Sequence, residues 1–527
     1  MRSSSDNYVY HDHVAINGVA RFPLQRELRD RSFGPGGRLS FGFVRPDADG
    51  NRLQEISYSG PKPINLIAPN RTHKGTTLIR MALMHTSSLV AVDIRGEIAL
   101  ATYHYRKHVL GQDIVLFDPF DTVASALGVE ADALNLADLV DPNSPVFMEE
   151  ADVFTDGIWV TDANSQDNFW NLSGADALRT AIMASRADGH AQDGTIHDAT
   201  RLFSLARPEF FDALDGIFVN ECGEKTLQVP GMVDSTSRLV RDGARRLSGN
   251  DDKTLFNILA TVRSQIGFLQ SDAMQLALGK SKVDLSKLAD GNTTLYIVIP
   301  SAYVRQYARL IRLIVTLCLF SVSKSQKFPD PPVLTLWDEC AICGYSGQLV
   351  DSYGMQAGDG NQIVTVWQDI NQLMRIYSDI WQTFIANAGM NIVFANNDLE
   401  TQRYFSELSG TADIHLTTYE GARAKANRFS HEGFKHSADS VVSRNLITRE
   451  RIKNMPPHEA LFFPANMNPA FGFKAPYYLD SRFRDRRGHP IFGIPPRYQH
   501  LPAPAPIDFS GPVDRVAKAL HDALKTT

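Results

Sequence analysis

Cysteine is scarce. The 527 residues hold four, Cys222, Cys318, Cys340 and Cys343, too few and too unevenly spaced for a disulfide framework or a four-ligand zinc site, which points to a reducing compartment. Also missing is an apolar run of the ~20 residues that a membrane-spanning helix needs. The longest such stretch, Leu310 to Val322, is interrupted by Arg312. Residues Met1 to Tyr10 are polar and lack the apolar run of a secretory signal, so export is not expected. Nor is there an excess of positive charge: 53 Lys and Arg face 59 Asp and Glu, a formal charge of −6. Whole-molecule electrostatics therefore does not attract nucleic acid, and any DNA contact has to come from local basic patches or from a ring of subunits.

What is present is ordinary globular text, 43% apolar and 21% charged, long enough for two or three domains with a sizeable core. From Asn65 short apolar runs alternate with helical patterns, which reads as an α/β fold with a parallel sheet and crossover helices. Strands are expected at Ile64–Ala68, Leu89–Val92 and Ile114–Phe117, the latter two ending in Asp93 and Asp118. Those carboxylates fall at the sheet edge where open α/β sheets bind ligands. Between about Thr122 and Asp290 helical periodicity takes over, as in Phe169–Ala184 and Thr254–Leu278. Sheet patterning then returns with Thr294–Ile299, a helix through Arg305–Ser321, and strands at Val333–Trp337, Gln362–Trp367 and Asn391–Ala395. The expected division is an N-terminal segment (1–60), a sheet domain in two pieces (61–121 and 291–485), an inserted all-helical domain (122–290), and a proline-rich arm with a short helix at Val513–Leu524 (486–527).

Three strand ends carry candidate chemistry. Ala68-Pro69-Asn70-Arg71-Thr72-His73-Lys74-Gly75 stands between a strand and a helix, the setting in which backbone N–H groups and a helix N-terminus cradle phosphates. The stretch lacks both glycines of the usual phosphate-loop pattern and has Gly75 at the hydroxyl position. Val333 to Glu339 is an apolar strand ending in two acids, with Asp338 placed to hold Mg²⁺ and Glu339 to polarise an attacking water. Gln368 ends the next strand and is suited to sense a γ-phosphate by hydrogen bonding.

Here the residues carry a specific resemblance. Ile67 to Gly75 is similar to the phosphate loop of the TraG/TraD-like type IV secretion coupling proteins. Further segments resemble that family in the same order: Val92-Asp93-Ile94-Arg95-Gly96-Glu97, Leu116 to Phe120, Asn168-Phe169-Trp170-Asn171, Leu288 to Tyr296, Trp367-Gln368 through Thr401, Met455-Pro456-Pro457 and Tyr478 to Phe483. Together they span roughly residues 60–485. The resemblance implies a RecA/FtsK-like P-loop NTPase sheet with an inserted all-helical domain, ATP and Mg²⁺ as cofactors, and a hexameric ring. It also implies transport of DNA with its relaxase, or of effector proteins, into a type IV secretion channel at the bacterial inner membrane. Asn70, Arg71, Thr72, His73, Lys74, Gly75, Thr76 and Asp93 would then bind nucleotide, Asp338 the metal, with Glu339 and Gln368 catalytic.

The sequence departs from that family in three ways. Its N-terminal membrane helices are not found here, so a cytoplasmic chain peripheral to the inner membrane is expected, integral only if such helices are missing from this chain. His73 replaces the glycine before Lys74, where a Cβ penalises positive φ. No Arg or Lys stands between Glu339 and Gln368, which leaves Arg375 and Arg403 as substitutes for an arginine finger. The alternative is a catalytically degenerate coupling protein that acts as a substrate or adaptor platform.

Other patterns read as ordinary structure. Cys340 and Cys343 are expected to be core thiols. His104 and His108, with Arg106 and Lys107 between them, should share a solvated helix face. Arg423 to Lys453, with eight Lys or Arg against three acids plus Phe429 and Phe434, reads as a basic surface loop able to track single-stranded nucleic acid.

Overall fold

The computed structural model describes residues 37–44, 53–160, 168–187, 194–205, 207–215, 232–281, 283–354, 358–420 and 435–483, with short pieces at 22, 28, 33, 217–219, 225–227 and 518–519. Eleven strands form its main sheet: β1 (Leu39–Val44), β2 (Gln54–Tyr58), β3 (Ile64–Ile67), β4 (Leu89–Val92), β5 (Asp113–Phe117), β6 (Thr293–Ile297), β7 (Val333–Trp337), β8 (Asn361–Trp367), β9 (Met390–Val393), β10 (Glu459–Pro464) and β11 (Ala470–Lys474). Their spatial order is β2-β1-β11-β10-β9-β3-β8-β7-β4-β6-β5.

From β9 to β5 all neighbours pair in parallel. From β2 to β9 they pair antiparallel. The parallel strands are largely apolar because both faces are covered, with buried Asn65, Thr335, Thr365 and Asn391 among the exceptions. In β3 and β4 the alternation is visible: Ile67, Val90 and Val92 join one core layer, while Ile64, Leu66, Leu89 and Ala91 join the other.

Helix α1 (Lys74–Met84) follows β3, and α2 (Glu97–His108) follows β4. Between β5 and β6 lie mostly helices, among them α3 (Phe147–Ile158), α4 (Asn168–Arg186), α5 (Arg238–Ser248) and α6 (Asp252–Ile266). The apolar stretch Leu310–Val322 becomes the body of α7 (Ala308–Lys324), packed against α3 and the sheet. Leu310, Ile314 and Leu317 are fully buried, each contributing about 1.5–3 kcal/mol relative to exposure. Arg312, which interrupts that run, is buried too, and its guanidinium donates to the carbonyls of Gly157, Ile158 and Trp159 at the end of α3 (2.9, 2.9 and 3.0 Å) and to Tyr345 (3.1 Å). A cation at a helix C-terminus is favourably placed.

Several expectations shift. Residues 1–60 hold β1 and β2, which belong to the main sheet. The helix expected over Thr254–Leu278 breaks: α6 ends at Ile266, a 3₁₀ turn covers Gly267–Gln270, and a new helix, Asp272–Ala277, starts under a Ser271 cap. The helical region also holds a short hairpin, Ile217–Val219 with Lys225–Leu227, and a longer one, Thr411–Glu420 with Lys435–Asn445, follows β9. Residues 421–434, 484–517 and 520–527 lie outside the described residues, and with them Phe429, Phe434, the proline-rich arm and most of the expected terminal helix. No helix among the described residues is long and apolar enough to cross a membrane.

Candidate functional site

Sheet order decides what meets at the carboxyl edge. Because β8 lies between β3 and β7, the residue leaving β8 stands beside both the loop leaving β3 and the acids leaving β7. Gln368 is that residue. Its side-chain Nε2 donates to Glu339 Oε2 at 2.9 Å. The other carboxylate oxygen of Glu339 accepts a short hydrogen bond from Lys74 Nζ, and the same ammonium lies 3.1 Å from Asp338 Oδ1. Asn396, just beyond β9, donates to the Gln368 carbonyl at 2.8 Å and steadies the strand end. Four side chains from three strand ends thus form one charged cluster.

The loop before Lys74 is held in shape locally. Thr72 Oγ1 donates to the Pro69 carbonyl (2.6 Å) and Thr76 Oγ1 to the His73 carbonyl (2.8 Å). Arg71 and His73 both have φ of 64°, and Glu339 has φ of 55°. Left-handed backbone at residues with a Cβ costs of order 1–3 kcal/mol each and clusters at functional sites. His73 therefore takes a positive φ that a glycine at this position would adopt without strain. Lys74 opens α1 with its side chain buried against the acids.

Burial pushes the Asp338 carboxyl above the usual carboxylate range, with Lys74 pulling it back and Glu339 pushing it further up. Asp338 Oδ1 is buried and carries no well-directed hydrogen bond. An under-used carboxylate oxygen beside a second acid is a donor set that suits a small hard cation such as Mg²⁺, so the residues fit the expected metal. Thr76, the nearest hydroxyl in sequence, is turned toward the His73 carbonyl. No group of three or more His, Cys, Asp or Glu among the described residues forms a separate metal cluster.

The expected residues divide. Lys74, Asp338, Glu339 and Gln368 come together. Asn70 and Arg71 are exposed at the loop tip, and Thr72, His73 and Gly75 are half-buried along it. Asp93 is buried, and its carboxylate accepts from the Ala99 N–H at 2.8 Å in the first turn of α2. Burial pushes this carboxyl up to about 7, with Glu97 and Asp338 adding to the effect. Asp118 does the same at the next strand end, accepting from the N–H groups of Thr122, Val123 and Ala124. Arg375 is exposed, and Arg403 pairs with Glu400 at 2.7 Å. Cys340 and Cys343 are buried free thiols, with burial pushing the Cys343 thiol up to about 12. His104 and His108 stack on an exposed face, but Arg106 is fully buried and donates to the carbonyls of Ala82, His85 and Ser87.

Two supports carried little signal in the sequence. Lys474, the last residue of β11, is buried and donates to the Thr72 carbonyl at 2.9 Å. Arg80, on α1, is fully buried and bonds Asp480 at 2.7 Å and Glu55 at 3.1 Å. Arg482 completes that network by reaching Glu55 and Asp480, both at 2.8 Å. Only the spacing of buried-type residues around a charge, Phe473-Lys474 and Tyr478-Leu479-Asp480, hints at either.

Compared with known families, residues 38–495 match the family described as Type IV secretory system Conjugative DNA transfer. The chain belongs to that family. Among its coupling proteins, the conjugal transfer protein TraG of Escherichia coli is 23% identical over 444 residues, covering 78% of this chain and 64% of TraG. Protein VirD4 of Agrobacterium fabrum is 24% identical over 436 residues, covering 81% of this chain and 60% of VirD4. The chain thus spans somewhat under two thirds of the length of these curated relatives. Among solved structures, the bacterial conjugative coupling protein TrwBdeltaN70 in its unbound form aligns with a TM-score of 0.62 at 13% identity, over 88% of this chain and 96% of that one. TrwB in complex with the non-hydrolysable ATP analogue ADPNP aligns with the same score at 12% identity, over 86% and 93%. The fold is accordingly the RecA-like P-loop NTPase fold of the coupling proteins.

Proposed function

We propose that this coupling protein is an ATP-dependent motor that recruits DNA with its relaxase, or effector proteins, and drives them into a type IV secretion channel. The observation that carries this reading is the convergence of Lys74, Asp338, Glu339 and Gln368 at adjacent strand ends, below a phosphate-type loop in which His73 takes a positive φ. In this proposal six copies form a ring beside inner-membrane channel components.

Each residue has a role that its position supports. The loop N–H groups and the α1 N-terminus receive the β- and γ-phosphates. Lys74 exchanges Glu339 for phosphate oxygens, which releases one Glu339 oxygen to orient and deprotonate water. Gln368, bonded to the other Glu339 oxygen, reports whether a γ-phosphate is present. Asp338 holds Mg²⁺, whose contribution when bound is to neutralise charge across the phosphate oxygens.

Thermal unfolding with and without ATP and Mg²⁺ tests the reading. A ligand that binds only the folded chain adds about 2.7 kcal/mol at a hundredfold excess over Kd, so the wild type should melt higher with ATP. Lys74→Ala should abolish the rise, and Glu339→Gln should keep it while losing turnover. A wild type that ATP leaves unmoved would favour the degenerate platform instead.

A further inference from the structure

We infer that Lys474 is a positioning residue for the phosphate loop, setting the direction in which the His73 N–H points; the inference rests on the nucleotide reading above. Three carbonyls of the loop are drawn into hydrogen bonds. Those of Pro69 and His73 are taken by the loop's own threonines. The carbonyl of Thr72 is taken by Lys474, 402 residues away in sequence.

That carbonyl is the one that matters for the unusual position in the loop. The Thr72 C=O and the His73 N–H share one peptide plane, and in a trans peptide they point in opposite directions. Turning the plane changes the ψ of Thr72 and the φ of His73 together. His73 sits at φ 64°, ψ 28°, a conformation that residues with a Cβ disfavour. A donor fixed behind the Thr72 oxygen holds the plane, so the His73 N–H is turned away from Lys474. Arg71, also at φ 64°, makes the loop strained on both sides of the held carbonyl.

Lys474 is built to stay where it is. Its residue is 2% exposed, and its ammonium lies 3.7 Å from the centroid of the Phe394 ring, a contact that attracts a cation. A buried ammonium is costly unless it is engaged, and a strand that only had to fill this edge would be served by an apolar side chain. Burial indeed pushes the Lys474 ammonium down to about 7, with Glu459 acting in the opposite sense.

The test is a double-mutant cycle between Lys474 and His73, read as the Kd for ATP with Mg²⁺ on the full chain, with melting temperatures of the ligand-free proteins recorded alongside. Lys474→Met should raise Kd about tenfold in the His73 background. In the His73→Gly background the same change should raise it less than about twofold, because glycine takes positive φ without help. Lys474→Arg, which keeps a charged donor, should restore much of the affinity. An unchanged Kd in Lys474→Met, or an equal loss in both backgrounds, overturns the inference. If Lys474→Met does not fold, the same cycle with Lys474→Gln decides it by the same criteria. Failure of the wild type and of His73→Gly to bind ATP would overturn the nucleotide reading, and this inference with it; wild-type binding that is indifferent to Lys474 overturns only the role of Lys474.

Discussion

The two halves of the main sheet divide the labour. The parallel half, β9 to β5, presents the charged cluster of the proposed nucleotide site at its carboxyl edge: Lys74, Asp338, Glu339 and Gln368. The antiparallel half, β2 to β10, contributes no residue to that cluster yet grips the loop and helix that carry Lys74, through Lys474 on the Thr72 carbonyl and through Asp480 and Glu55 on Arg80. The difference teaches that the charged cluster is built by one half and that the other half supports its most strained segment.

The largest effect should come from the reactive half. Glu339→Gln is expected to lower the rate of ATP hydrolysis by about 100-fold or more while ATP-dependent stabilisation persists, because the loss falls on the transition state alone. Steady-state hydrolysis beside thermal shift checks it. Loss of both together would mean that Glu339 shapes the loop, and would blur the division.

Next comes the supporting half. Asp480→Ala leaves the fully buried Arg80 with Glu55 as its remaining carboxylate and should cost about 3–5 kcal/mol in chemical denaturation. Arg482 and Arg80 overcome burial to hold the Asp480 carboxyl below its usual range, so the stability it adds is present above the ordinary carboxylate pKa and is lost as pH falls through the lowered value. Asp480→Ala should therefore also flatten the acid limb of the stability curve.

The parallel half has its own acid sensitivity. Burial, with the Arg106 guanidinium adding to it, pushes His85 down to about 3. Between the ordinary histidine value and about 3 the unfolded chain binds a proton that the folded chain does not. Stability from this group is thus complete above pH 6.5 and falls by up to about 1.4 kcal/mol per pH unit as the medium is acidified. His85→Gln should remove that slope in denaturation curves at stepped pH. The smallest effect is expected for His73→Gly, which relieves positive φ but loosens the unfolded chain; stability should rise by about 1 kcal/mol or less.

Much of the parallel half was legible in the sequence, because its strands are largely apolar runs, and Asp338, Glu339 and Gln368 directly follow two of them. Val333–Trp337 was read to the residue, and Gln368 was placed at its strand end. The antiparallel half was hidden. β1 and β2 carry Ser40, Gly42, Glu55 and Ser57 inside short runs; Ser40 and Glu55 look solvated until Arg80 is seen to donate to both, and Ser57 until the Gly37 N–H is seen to donate to it. At Asp93 the sequence leaves the helix-capping bond to the Ala99 N–H out of sight, because a carboxylate at a strand end serves a ligand and a following helix equally well. Arg106 was assigned to the surface with its neighbours, whereas helical geometry turns it to the opposite side, where three carbonyls await it.

The pairing of β1 with β11, Gly42 opposite Lys474, sets a schedule for synthesis. A side chain added at Gly42 or Gly472 would lie 2.1 Å from a carbonyl oxygen of the opposite strand, so the two backbones close directly on each other. The earliest strand of this sheet to leave the ribosome waits for the last one. Until residue 480 has emerged, Arg80 has no Asp480, and the helix that begins with Lys74 lacks part of its anchorage. Contacts of such long sequence separation form late, so the loop before Lys74 should reach its final shape only after residue 480 has been made.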